Sequence, residues 1–271
     1  MTSTFLYGAN VRANRIRQHY LRYGGRGRAL VAVPGIITPA AVWGFVGERL
    51  GRTFDTHVVD VRGRGLSESG DRLEHSLDAY ADDVIAFTQA LGLTDAIVVG
   101  HSMGARIAIR AARKSPKAFG QIVLVDPPVS GPGRRAYPSP LPAVLDLLHA
   151  AQRGEAYEAL TRPGIARWPE PLLRARAEWL HTCDERAVVA THRGFHEDDI
   201  HADLPKITAP CALVAATRGD VIREEDEREM RELLPSMKVL RVADAGHQIP
   251  VDNFEGFIAA LEQVLGEKIP A

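Results

Sequence analysis

The chain has 271 residues, 45% hydrophobic and 25% charged, with a formal net charge of −1. That length suits one large α/β domain with a sizeable core, and the near-neutral balance supplies no bulk field for nucleic acid or an anionic membrane. The two cysteines, Cys183 and Cys211, fit neither a metal-ligand spacing nor a disulfide framework, so a reducing compartment with idle thiols is expected.

The stretch from Met1 to Arg17 carries scattered arginines and no apolar run, and no stretch of the chain reaches the length of a membrane span. A cytoplasmic protein without a signal peptide is the expectation. Ile16 to Tyr23 alternates apolar and polar residues and reads as an early antiparallel strand, with Gly24, Gly25 and Gly27 turning the chain after it. Ala29 to Val33 is a continuous apolar run, a buried strand that ends in Pro34-Gly35-Ile36-Ile37. Ala40 to Leu50 is expected to be a helix closed by Gly51. Thr56 to Val61 is the next strand, running into a loop punctuated by Gly63 and Gly65. No helix with a phosphate-binding lysine follows Arg62 and Arg64. The loop therefore reads as a structural turn in which Asp60 and Arg62 tie down their neighbours.

Ser76 to Leu91 has helical spacing and stops at Gly92. Ala96 to Val99 is a strand that breaks at Gly100-His101-Ser102-Met103-Gly104, and a helix follows to about Lys114. This is the strand–turn–helix setting of a nucleophile elbow, Gly-x-Ser-x-Gly. The two glycines let strand and helix pass closely, Ser102 stands free at the strand's end, and the Met103 N–H faces a developing oxyanion. Pro34-Gly35-Ile36 occupies the place of the second oxyanion segment, with the Ile36 N–H as donor.

Gln121 to Val125 is another apolar strand, ending at Asp126-Pro127-Pro128. The strand–helix rhythm then breaks. Val129 to Pro142 reads as loop, and helical patterns follow at Leu141 to Ala151, Glu155 to Leu160 and Pro171 to Cys183. Rhythm resumes with a strand over Cys211 to Ala216, a charged helix over Glu224 to Leu234, a last strand over Lys238 to Val242 and a closing helix over Phe254 to Leu265. The expected architecture is α/β, a mostly parallel sheet flanked by helices, with residues 1–128 and 204–271 as core and 129–203 as an inserted helical cap.

A serine hydroxyl needs a base, and His247, in the loop after the last strand, suits that role. His101 is expected to support the site. His192, His196 and His201 lack the two-histidine zinc spacing, so no metal is expected. The acid that orients His247 has two candidates at strand ends, Asp126 and Asp220, and the residue pattern alone slightly favours Asp220.

With these residues placed, the chain resembles the α/β-hydrolase family along its full length. Several segments further resemble the branch of that family that removes formyl groups in bacterial nicotinate degradation. They are Ile16 to Tyr23, Asp60 to Leu66, Asp126 to Arg135, Arg176 to Cys183, and Phe195 to His201 without Asp198. The resemblance implies a serine hydrolase of a linear N-formyl amide, N-formylmaleamate giving maleamate and formate, with no cofactor. It implies Asp126 as the acid, because that branch carries its acid in the Asp-Pro-Pro block. It also implies a carboxylated substrate, for which Arg134, Arg135 and Arg176 are candidates. An esterase or carbon–carbon bond hydrolase acting on another small carboxylated substrate is the alternative on the same triad.

Overall fold

The structure, a computed structural model, describes residues 2–163 and 168–271, so residues 164–167 of the expected cap lie outside the described residues. The chain opens on an antiparallel pair, β1 (Phe5–Ala13) and β2 (Ile16–Tyr23). β1 has no counterpart in the sequence reading. Its side chains are mostly exposed, so no apolar alternation marks it, and pairing with β2 holds it in place. β3 (Ala29–Val33) leads into a short 3-10 turn at Ala40–Trp43 and then α1 (Gly44–Leu50), where one continuous helix was expected. Trp43, at φ −97° and ψ 11°, leaves the α-helical region and buries its indole beside the His101 ring.

β4 (Asp55–Val59) ends short of Val61, where Asp60 turns its carboxylate to the Ala40 and Leu66 N–H groups and the His19 ring. In α2 (Leu77–Ala90), Ser76 caps the first turn by accepting the Ala79 N–H at 3.1 Å. β5 (Ala96–His101), α3 (Met103–Lys114) and β6 (Phe119–Val125) follow. Between β6 and the next strand the described residues form only helices: α4 (Leu141–Gln152), α5 (Ala156–Leu160), α6 (Glu170–Trp179) and α7 (Glu185–Glu197). α7 falls in the stretch expected to be helical up to about Asp203 but had no bounds of its own, because its buried face, Ala187, Val188, Thr191, His192 and Phe195, has two polar positions that dilute the apolar period. The chain closes with β7 (Cys211–Ala216), α8 (Glu224–Leu233), β8 (Lys238–Val242), α9 (Ile249–Asp252) and α10 (Phe254–Leu265).

The eight strands form one sheet in the order β1-β2-β4-β3-β5-β6-β7-β8. β3 to β8 pair in parallel with one another, and β2 runs antiparallel to both of its neighbours, β1 and β4. Every residue of β5 and β7 is buried, as expected for parallel strands covered on both faces. Successive residues feed opposite cores. Val31, Val33 and Val98 join one apolar cluster, while Leu30, Ala32, Ile97 and Val99 join the other. Val144, Leu148, Leu180, Val188 and Phe195 of the helical insertion belong to the first cluster, so the insertion packs as a continuation of the main core. No helix among the described residues is long and apolar enough to cross a membrane.

Candidate active site

The chain leaves β3 for β4 on one side and returns to β5 on the other, so the loops after β3 and β5 diverge. A crevice opens at such a switch point, at the carboxyl ends of the strands. Four loops meet there, bringing Ile36 from β3, Ser102 from β5, Asp126 from β6 and His247 from β8.

Ser102 sits at φ 55° and ψ −116°, a conformation that costs a non-glycine residue about 1–3 kcal/mol and needs support. The neighbouring strand provides it, because the Ser102 N–H donates to the Val125 carbonyl at 2.9 Å. The flanking glycines are sterically required. A Cβ on Gly104 would lie 1.9 Å from the Val33 oxygen, and one on Gly100 would lie 2.2 Å from the Gly104 oxygen.

His247 Nε2 is 3.0 Å from Ser102 Oγ, and its Nδ1 is 2.7 Å from Asp126 Oδ2. Asp126 is fully buried and begins one residue past β6, at φ 47°. Its N–H donates to the Val214 carbonyl at 3.0 Å, and its Oδ1 accepts the Ala216 N–H at 3.2 Å. One carboxylate oxygen is thus anchored on β7 and the other faces the imidazole. A proton on Nδ1 leaves the Nε2 lone pair for the Ser102 hydroxyl.

The slight residue-level preference for Asp220 finds no support in this geometry. Asp220 stands four residues beyond the end of β7, in an exposed turn, and its carboxylate lies 3.5 Å from the Arg223 guanidinium. Asp226 caps α8, accepting the Arg223 N–H at 2.8 Å.

Neither the Ile36 nor the Met103 N–H has a hydrogen-bond partner among the described residues, and both residues lie beside Ser102. The Ile36 carbonyl is held by Arg64 Nε at 3.1 Å. Arg64 is fully buried and also bonds Tyr80 Oη at 2.9 Å and Thr191 Oγ1 on α7 at 2.8 Å. Arg106, on α3, fixes the other side of the site. Its guanidinium donates to the carbonyls of Pro128, Ser130, Gly194 and Asp198 at 2.7–3.1 Å, tying the Asp126 loop to the end of α7. Arg62 pairs with Asp83 at 2.6 Å through both nitrogens. The arginines of the Asp60–Ser67 loop therefore hold structure together.

His101 supports His247. Its Nε2 lies 2.8 Å from the His247 carbonyl oxygen, and its ring is stacked between those of Trp43 and His247 at 5.6 and 5.1 Å. Burial pushes its pKa down to about 3, so the ring is neutral and Nε2 donates.

A cavity of about 360 Å³ lies over Ser102, a size usual for small-molecule sites. The sheet edge supplies Ile36, Ser102 and His247, and the insertion supplies Tyr137, Trp168 and His192. Its charged lining is Arg162 and Arg176 against Asp146, an excess of positive charge. The Arg176 guanidinium lies 4.5 Å from the Trp168 ring centroid and has no side-chain hydrogen-bond or ion-pair partner among the described residues. Burial lowers its pKa to about 10, which leaves it cationic at neutral pH. The Trp168 Nε1–H is likewise buried and unpaired among the described residues. The other two expected arginines are engaged elsewhere, Arg134 with Glu229 at 2.5–2.6 Å and Arg135 with Asp226 and the Asp220 and Val221 carbonyls.

Tyr137, Trp168 and His192 were not recognised as site residues from the sequence, because no spacing relates the insertion to the elbow. His192 donates from Nε2 to the Ser139 carbonyl at 2.8 Å, and His196 uses one ring nitrogen on the His192 carbonyl and the other on the Tyr137 N–H. Among the described residues no group of three or more His, Cys, Asp or Glu is placed to hold a metal ion. Cys183 and Cys211 are buried, and burial pushes both thiols up to about 12, far from a reactive thiolate. A more open depression of about 720 Å³ near Ser69, His181 and Asp184 contains no nucleophile–base pair.

The chain belongs to the alpha/beta hydrolase family, whose sequence model matches residues 30–260. Within that family it is 55% identical over 263 residues to the N-formylmaleamate deformylase of Pseudomonas putida, covering 97% of this chain and 98% of that one. A crystal structure of a variant N-formylmaleamic acid deformylase from Pseudomonas putida superposes with a TM-score of 0.89 at 50% identity, over 94% of this chain and all of that one. The 2-(acetamidomethylene)succinate hydrolase of Mesorhizobium japonicum is 29% identical over 84% of each chain.

Proposed function

We propose that the protein is a serine hydrolase that cleaves N-formylmaleamate to maleamate and formate, with Ser102 as nucleophile, His247 as base and Asp126 as its orienting acid. The observation that carries this reading is the hydrogen-bonded relay from Ser102 Oγ through His247 to Asp126, at 3.0 and 2.7 Å, opening into a cavity that holds a guanidinium unpaired among the described residues. The 55% identity to a deformylase supports the choice of substrate.

Ser102 Oγ attacks the formyl carbon while its proton passes to His247 Nε2. The Ile36 and Met103 N–H groups hold the oxyanion of the tetrahedral intermediate. The carbon–nitrogen bond then breaks, its electron pair goes to nitrogen, and His247 returns the proton there, releasing maleamate. Water, deprotonated by the same imidazole, attacks the formyl ester on Ser102 and releases formate. The substrate's distal carboxylate binds Arg176 and the Trp168 N–H, since a charge-assisted bond is the natural partner for a half-buried guanidinium with no partner among the described residues. The insertion thus sets substrate choice.

Hydrolysis by purified protein, followed as formate release from a panel of N-formyl amides and as product absorbance from aryl esters and ring-cleavage dienones, tests the proposal. Turnover of N-formylmaleamate well above the other substrates is expected. Dominant turnover of an ester or a dienone would replace the deformylase reading with the esterase or carbon–carbon hydrolase alternative.

A further inference from the structure

The relay leaves one polar atom beside the reacting centre without a task. Tyr137 Oη lies 3.2 Å from His247 Nε2, the nitrogen that faces Ser102 Oγ at 3.0 Å. A neutral imidazole with its proton on Nδ1 has a single lone pair at Nε2. Ser102 and Tyr137 cannot both donate to it, and serine activation needs only the first.

Tyr137 is nevertheless held firmly. Its ring meets Phe195 edge-on at 5.1 Å and His192 at 6.0 Å, and its N–H donates to His196 Nε2 at 3.2 Å. Burial pushes the phenol up to about 12, so Oη keeps its proton at working pH and serves as a donor. The group that leaves Ser102's substrate must reach Nε2 to be protonated, which brings it alongside Oη. In an N-formyl carboxamide the leaving nitrogen bears its own carbonyl. Amide bond lengths place that oxygen about 2.3 Å from the nitrogen, within reach of a donor beside Nε2.

We propose that Tyr137 is a catalytic residue whose hydroxyl donates a hydrogen bond to the carbonyl oxygen of the departing carboxamide. As the carbon–nitrogen bond breaks, its electron pair spreads from nitrogen onto that oxygen. His247 protonates the nitrogen, and Tyr137 stabilises the oxygen while keeping its own proton. Such a contact strengthens as the bond breaks, so it lowers the barrier more than it tightens ground-state binding. An aryl formate has no carbonyl on its leaving group and gains nothing from the contact.

The inference rests on the formyl-amide reading above, and the test separates the two. Wild-type enzyme that hydrolyses 4-nitrophenyl formate but releases no formate from N-formylmaleamate removes the substrate reading and this role together. With the wild-type activity in hand, Tyr137→Phe deletes only the hydroxyl. Rates are expressed per Ser102 titrated with an organophosphonate, so misfolded protein is not counted. We expect kcat/KM for N-formylmaleamate to fall by about 10- to 100-fold, the range for one donor to developing charge. For 4-nitrophenyl formate it stays within about twofold, because acylation there needs no such donor. Tyr137→Leu, which removes the ring as well, should show the same preferential loss on the amide. Equal falls on both substrates would place Tyr137 in the upkeep of the Ser102–His247 pair, and no fall on either would reduce it to packing. Each result overturns the proposal.

Discussion

The sheet edge and the helical insertion face each other across the Ser102 cavity, and they are built differently. At the edge, Ser102 and Asp126 each sit one residue past a strand end and are held by the ladder. Ser102 donates to Val125, and Asp126 donates to Val214 and accepts from Ala216. The insertion instead presents side chains from loops and helices, Tyr137, Trp168, Arg176 and His192, fixed by ring contacts and single backbone bonds. The ladder gives the edge the sub-ångström placement that nucleophilic chemistry demands. Two buried arginines join the regions, Arg64 from the Ile36 loop to Thr191 and Arg106 from the Asp126 loop to Gly194 and Asp198.

If chemistry resides at the edge, the largest losses in kcat belong there. Ser102→Ala should fold normally and lose roughly three or more orders of magnitude in turnover, as expected for a triad nucleophile. Near-wild-type formate release by that variant would sink the serine mechanism. Next comes a contrast within the edge itself. Asp126→Ala should lower kcat by about 10⁴, the scale of losing the orienting acid. Asp220→Ala, at an exposed carboxylate beside Arg223, should leave activity within about twofold of wild type, as for most surface substitutions. The reverse ranking in two folded variants would move the acid to Asp220.

The insertion should answer differently. Arg176→Met removes the cation and keeps much of the contact with Trp168. It should lower kcat/KM for N-formylmaleamate by roughly 10- to 100-fold through KM, the cost of one charge-assisted bond. Hydrolysis of an uncharged aryl formate should barely change. A fall in kcat on both substrates would mean that Arg176 serves the chemistry as well, and the division between the regions would fail.

The smallest effect concerns stability, which the two regions share through one apolar cluster. His101 is neutral when folded because burial holds its pKa near about 3, below the ordinary 6.5. Burial lowers His57, His192 and His201 as well. The unfolded chain therefore binds more protons than the folded one between those values, so stability is complete above pH 6.5 and declines as the pH falls. His101 alone accounts for about 2 kcal/mol by pH 5. Acid unfolding should be a single transition, followed equally by far-UV circular dichroism and by fluorescence from Trp43, Trp168 and Trp179. Earlier loss of the tryptophan signal would show the insertion melting ahead of the sheet.

How much of this could be read without coordinates differs by element. The buried strands β3, β5, β6 and β7 are legible because parallel strands covered on both faces leave continuous apolar runs. β1 was missed because it is exposed on its faces, and α7 had no bounds of its own because it carries His192 and Thr191 on its buried face. His101 was expected to support the site and does so through the His247 carbonyl. Arg64 and Arg106 gave no signal as ties between loops, because their partners are carbonyls far away in the chain.

The sequence by itself determined the elbow, since the demands on Gly100, Ser102 and Gly104 act within five residues and admit almost nothing else. It also determined the order of the strands β2 to β8 along the chain. The residue pattern alone leaned weakly to Asp220 and the family resemblance to Asp126, and the tertiary structure sets Asp126 against His247. Asp126 and Asp220 follow adjacent strands, but Asp126 emerges one residue after β6 and is clamped to β7, whereas Asp220 is carried four residues clear. Tyr137 and Arg176 were decided there too, because a cavity wall assembled from an insertion depends on how its helices pack, and packing has no local spacing to read.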